Sequence, residues 1–277
     1  MTKRYLKILF VLLSLSVLVA CQSTKLPTEK YYQFSYYRTF TLEEDVLKVE
    51  IQNPLYCPLR VWLKNEDAGL QARFDQLNPV ILPARKDTLL SFDGVTELQG
   101  EVNFGSSFGD PGKAIKEFPL ELPFPDGKSY RVIQGNNSNY THNTEYNRYA
   151  VDFSLLTNDT ICAATDGYVV GVIEGYNVYG KGEQWNPYAN FITLYDPESG
   201  LFTQYVHLVK DGSFVSVGDQ VKKGQAIGLT GLTGNTDIEH LHFNCLIPNE
   251  SGLESIPHTY EGGYQSQELK KNDVIEK

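Results

Sequence analysis

From about Tyr32 onward the chain is written in short runs of β-branched and aromatic residues, interrupted every few positions by Asn, Pro, Gly or Asp. Such runs predict strands. In the first half they fall at residues 46–52, 59–63, 88–92 and 101–104. In the second half they fall at 149–155, 167–173, 190–195, 201–208, 225–230 and 240–246. Amphipathic helical periodicity is weak throughout, so the expected fold class is all-β. Residues 119–127 are dense in proline and close on the turn pair Asp126-Gly127, which predicts a domain boundary at about residue 125. A small β-sandwich-like domain over 32–125 would then precede an antiparallel β-sheet domain over 126–250, with 251–277 as a polar C-terminal tail. Residues 174–189, rich in Gly, Tyr and Asn, form a long insertion suited to overhang a groove.

The first residues carry a different pattern. Lys3, Arg4 and Lys7 precede an apolar run over 8–20, too short to span a bilayer comfortably and suited to a secretory signal peptide. The following Leu18-Val19-Ala20-Cys21 resembles the lipobox of bacterial lipoproteins, which implies acylation of Cys21 and removal of residues 1–20; an ordinary signal, or a single anchor helix with a chance cysteine, is the alternative. Residues 21–31 would be the lipid-anchored tether. Gln22 does not resemble an inner-membrane retention signal, so the expected location is the cell envelope, and the outer membrane facing the periplasm where two membranes exist. Without residues 1–20 the chain has 21 basic against 34 acidic side chains, a net charge of about −13, which argues against nucleic acid as a partner. Cys57, Cys162 and Cys245 would then remain, an odd number that supports no disulfide framework. Cys245 continues the apolar alternation of Leu241 and Phe243 and reads as a small buried residue.

Candidate chemistry lies in the histidines, at 142, 207, 240, 242 and 258. Alternate residues of a strand share a face, so His240, His242 and Asn244 project one way and Leu241, Phe243 and Cys245 the other. By the same parity Asp152 stands opposite Val151 and Phe153, and Tyr205 shares a face with His207. A hydrolytic zinc site takes three protein ligands from histidine and carboxylate and leaves a position open for water. One aspartate and two of these histidines would supply that set, leaving two imidazoles for proton transfer and charge stabilisation. Solvated histidines on sheet edges are the competing reading.

Six blocks then resemble the lysostaphin-type zinc metallopeptidases, the LytM-domain murein hydrolases: Ala150-Val151-Asp152-Phe153; Ala163-Ala164-Thr165-Asp166-Gly167-Tyr168-Val169; Tyr205-Val206-His207-Leu208; a glycine-rich block from Val217 through Gly224 to Gly228; Thr233-Gly234-Asn235-Thr236; and His240-Leu241-His242-Phe243. The resemblance covers about residues 135–248. It implies one Zn2+ per chain held by His142, Asp152 and His242, catalytic roles for His207 and His240, and endopeptidase action on peptidoglycan stem peptides or cross-bridges. In that scheme His240 takes the proton of the attacking water and His207 helps stabilise the oxyanion. The family motif places its first histidine four residues before the aspartate, where this chain has Arg148; His142, ten residues ahead in a Thr-His pair, is the substitute. A degenerate relative that binds wall peptides or regulates another hydrolase without cutting is the alternative that Arg148 suggests. The block Gly218-Asp219-x-Val221 onward also resembles the hairpins of biotinyl and lipoyl carrier domains, but no lysine stands at a tight hairpin tip. His258 matches no block and reads as a surface residue, and the N-terminal domain reads as a spacer or packing domain, with a domain that covers or extends the substrate groove as the alternative.

Overall fold

A computed structural model describes residues 25–138 and 141–277; Cys21 and the signal-like segment lie outside the described residues. No described helix is long and apolar enough to cross a membrane. Strands dominate, and the sheets of the second half pair antiparallel apart from one two-residue bridge between Tyr179–Gly180 and Gly234–Asn235. The principal sheet runs Gln220–Val221, Gly167–Ile173, Phe191–Tyr195, Phe202–Val206, Leu241–Pro248, Val151–Phe153, Ser129–Gln134 and Val274–Glu276, with Leu253–Ser255 added beside Leu241–Pro248. A smaller sheet of Leu208–Ser213, Ala226–Thr230 and Thr160–Cys162 packs with it.

The alternation read from the sequence decides what each face of the principal sheet does. One face sends Val151, Phe153, Tyr205, Leu241, Phe243 and Cys245 into a fully buried core. On the other face the register builds three rungs. The first aligns Phe191, Val206, His242 and Asp152; the second Gly171, Thr193, Gln204 and Asn244; the third Tyr195, Phe202 and Leu246. The third rung is covered by the N-terminal half and joins its core. The first two rungs are left for a cleft.

The N-terminal half contains two three-stranded antiparallel sheets, Arg38–Glu43, Val46–Gln52 and Asp87–Asp93 in one and Val80–Leu82, Leu59–Lys64 and Asn103–Phe108 in the other. Their apolar faces share one core. A helix at Ala68–Asp75, absent from the sequence expectation, is capped by Asp67 and buries only Leu70 and Phe74. These two residues sit four apart, one turn on one face, which is too little apolar stripe to show as periodicity.

This half is bolted to the sheet and does not hang from it. Phe108 stacks on Phe202 at 5.8 Å and Tyr56 on Tyr168 at 4.3 Å. Gly109, at φ +83°, lies so close that a Cβ there would meet Pro248 at 2.8 Å. Arg60, fully buried, donates to the carbonyl oxygens of Phe108 at 2.9 Å, Gly252 at 2.6 Å and Asn249 at 2.5 Å.

Two sequence expectations change here. Residues 251–277 are not a tail: Tyr260 and Ile275 enter the second core, together with Leu120, Leu122 and Phe124 of the proline-rich segment, and Val274–Glu276 pairs with Ser129–Gln134. His258 is buried, with its ring between Phe243 and Tyr260, so it is not a surface residue. Polar spacing hid both, since single large apolar residues anchor otherwise hydrophilic segments.

Candidate metal centre

The first rung opens into a cleft of about 1190 Å³ whose lining includes Asp152, His207, His240 and His242. Asp152 and His242 face each other across paired strands, with His242 Nδ1 2.9 Å from Asp152 Oδ1. His142 comes from the loop between Ser129–Gln134 and Val151–Phe153 and is fully buried. Its Nδ1 lies 3.0 Å from the Gly135 carbonyl oxygen, so in the neutral ring that nitrogen carries the proton and Nε2 presents a lone pair. Nε2 lies 3.2 Å from Asp152 Oδ1 and 3.2 Å from His242 Nδ1.

The loop that carries His142 is held to the second rung. Tyr146 donates its hydroxyl to Gln204 Oε1 at 3.1 Å, and its carbonyl accepts from Asn244 Nδ2 at 2.6 Å. Ser255 receives a hydrogen bond from Tyr149 N and donates to Asn244 Oδ1. Arg148, at the position where the family motif has its histidine, is exposed and takes no part in the cleft lining.

His207 and His240 stand beside the three. The expected parity of Tyr205 and His207 does not hold: the strand ends at Val206, and His207 adopts φ +71°. This left-handed turn, costly for a residue with a Cβ, leaves Tyr205 in the core with its hydroxyl accepting from Ala164 N and swings His207 into the cleft. Its ring centroid lies 4.5 Å from that of His240. His207 Nδ1 donates to Thr233 O at 2.6 Å and His240 Nδ1 to Ile238 O at 3.0 Å, so both rings keep an unprotonated Nε2 when neutral. His240 Nε2 is 3.7 Å from Asp152 Oδ2.

Electrostatics separate these groups. Burial opposes a charge on Asp152, but His142 and His240, with hydrogen bonds from His142 and His242, outweigh it and hold the carboxyl well below its usual range. Burial likewise works against a proton on His142, and the Asp152 carboxylate overcomes it, raising that imidazole. His242 and His207 are pushed down, first by burial and then by neighbouring imidazoles.

His142 Nε2, His242 Nδ1 and Asp152 Oδ1 are three lone-pair atoms converging with edges of 2.9 to 3.2 Å. Three acceptors in contact repel unless a proton or a cation lies among them. A tetrahedron with ligand bonds of 2.0–2.1 Å has edges of about 3.3 Å, so this donor set has the chemistry and nearly the dimensions of one face of a zinc site. These are the three residues among the described ones whose ligand atoms cluster in this way.

Residues 146–252 match Peptidase family M23. That stretch of the chain resembles a peptidase M23 domain. The match begins four residues beyond His142, so that histidine lies outside it. Glycyl-glycine endopeptidase ALE-1 of Staphylococcus capitis is 32% identical over 130 residues, which are 46% of this chain and 33% of that protein. Peptidoglycan DD-endopeptidase ShyB of Vibrio cholerae is 31% identical over 46% of this chain and 28% of its own length. The chain thus spans about a third of the length of these relatives. The catalytic domain of lysostaphin from Staphylococcus simulans is 27% identical, covers 46% of this chain and 87% of that domain, and superposes with a TM-score of 0.33.

Two cleft residues escaped the sequence reading. Asn136, next to the carbonyl that holds His142, has both amide atoms buried without a hydrogen-bond partner among the described residues. Gln33 lines the cleft from the N-terminal side. Neither belongs to a motif, and no sequence signal marks an amide as unpaired. The three cysteines among the described residues are all buried and free, Cys245 in the second core as expected.

Proposed function

We propose that this protein is a zinc-dependent endopeptidase that hydrolyses peptide bonds in peptidoglycan stem peptides or cross-bridges. The observation that carries the reading is the convergence of His142, Asp152 and His242 beside two further histidines in an open cleft. Bound there, zinc supplies a Lewis acid that lowers the pKa of water toward about 7 and polarises a peptide carbonyl. His142 and His242 bind as neutral imidazoles, the first oriented by Gly135 O. With Nδ1 bonded to Ile238 O, neutral His240 has Nε2 available to take the proton of the attacking water and to return it to the leaving amine. His207, whose ring lies 4.5 Å from that of His240 and whose Nδ1 is bonded to Thr233 O, would stabilise the developing oxyanion through a separate proton taken up on Nε2 from solvent as the negative charge builds. Burial pushes the His207 imidazole well down, so that ring starts the cycle neutral.

The non-cutting reading rested on Arg148. The geometry favours the enzyme, since His142 reaches the cluster from a longer loop. Purified protein incubated with cell walls is expected to release peptide fragments, to stop on chelation and to resume on zinc addition. One zinc bound per chain with no release would leave a wall-binding protein instead. We further propose acylation at Cys21 and attachment to the outer membrane where two membranes exist. Fatty-acid labelling lost in Cys21→Ala would support the anchor, and labelling retained would remove it.

A further inference from the structure

The stretch that leads into the N-terminal half is laid along the free edge of the sheet. Tyr188 donates its hydroxyl to Pro27 O at 3.2 Å, Tyr31 N donates to the Tyr176 hydroxyl at 3.1 Å, and Val172 N donates to Gln33 O at 2.9 Å. The Tyr31 ring covers Gly175 and meets Tyr176 edge-on at 4.8 Å. These bonds deliver the Gln33 side chain onto Gly171, where a Cβ would stand 2.6 Å from its Oε1. Gly171 belongs to the second rung, beside Thr193 and Gln204, and of these Gln204 lines the cleft.

Gln33 lines the cleft together with Phe108 and Phe191. Among the described residues no protein group bonds its carboxamide. From His242 to Gly171 the sheet crosses three strand spacings, about 14 Å, or roughly four residues of extended peptide. A primary carboxamide presents one donor direction and one acceptor direction in a plane, as a peptide unit does. At the opposite side of the cleft the Asn136 amide, unpartnered among the described residues, offers the same pair beside the His142 loop.

We propose that the N-terminal half completes the substrate site: Gln33 grips the backbone of an extended peptide about four residues from the bond that is cut, and Phe108 forms the end wall of that subsite. The inference rests on the peptidase reading of the cleft. It makes this half a determinant of which wall peptides fit and replaces its role as spacer.

The test uses the zinc-loaded protein and cross-linked muropeptide dimers prepared from purified peptidoglycan with a muramidase. Gln33→Ala is expected to raise KM for the dimers five- to tenfold with kcat changed less than twofold. Gly171→Ala, which displaces Gln33 by steric contact, is expected to raise KM similarly, and the double variant to add nothing further. Thermal denaturation checks that each variant folds; should Gly171→Ala not fold, Gln33→Ala decides alone. A KM unchanged in Gln33→Ala overturns the subsite while leaving the peptidase intact. Wild-type protein that neither binds nor cuts the dimers overturns the peptidase reading and the subsite with it.

Discussion

Two charged groups are withdrawn from water at opposite ends of the strand Leu241–Pro248, and they are treated differently. Past its far end Arg60 is encircled by backbone carbonyls of Phe108, Asn249, Glu250 and Gly252. At its near end Asp152 is surrounded by imidazoles of His142, His240 and His242. The carbonyls are fixed dipoles that cannot titrate, so Arg60 has one state and acts as a structural clamp between the two halves. The imidazoles can bind a proton or a metal and can move a proton, so Asp152 sits in a site with several states. A buried charge answered by backbone holds a structure together; one answered by titratable side chains is a site for chemistry.

The largest effect that would break this contrast is expected at Asp152. Asp152→Asn preserves shape and removes the charge. Since loss of even an outer hydrogen-bond partner weakens metal affinity roughly 10- to 100-fold, zinc affinity should fall by more than about a hundredfold, measured by competition with a chromophoric chelator. Retained zinc stoichiometry at low micromolar metal would remove Asp152 from the ligand set. Arg60→Met should instead cost about 3–5 kcal/mol in denaturant unfolding, because it leaves several buried carbonyls unbonded. Its zinc stoichiometry should match wild type, and parallel loss of metal would mean that the clamp and the metal centre are one unit.

His258 tests the same contrast by pH. It is buried, bonded to Tyr260 and the Ile256 carbonyl, and burial pushes its pKa down to about 4. Between about pH 4 and 6.5 the unfolded chain therefore holds a proton on this side chain that the folded one does not, so stability falls as pH is lowered through that window, by up to about 3 kcal/mol. His258→Gln should flatten this part of the stability profile; an unchanged slope would contradict it. The smallest effect is expected at Tyr146→Phe, which removes the hydroxyl bond to Gln204 and loosens the His142 loop. About 1 kcal/mol, or less than tenfold in zinc affinity, is the expected loss, and a null result by the same competition assay would show that Asn244 holds the loop alone.

The sequence made visible what depends on alternation. Strands such as Val46–Gln52 and Gly167–Ile173 match the apolar runs, because both are patterned at period two against a core. Asp152 and His242 were legible for the same reason, as polar residues in phase on otherwise apolar strands. His142 was reachable only through family resemblance, since its loop has no period and its distance from Asp152 follows from a tertiary path. Arg60, Gln33 and Asn136 were invisible: what matters about them is whether backbone partners surround them or are lacking, which no residue spacing encodes. His207 shared that fate in part, because a single left-handed residue reversed the face that parity assigned it.

The fixed stretch from Pro27 to Gln33 also sets a working radius. On the proposed anchor at Cys21, only six residue steps separate the acylated residue from Pro27, which Tyr188 of the 174–189 insertion holds by a hydrogen bond. Six steps of extended chain reach at most about 20 Å. The catalytic cleft would therefore travel with the membrane surface, and the glycan layer within its grasp would be the one nearest the lipid headgroups, whatever the thickness of the wall beyond.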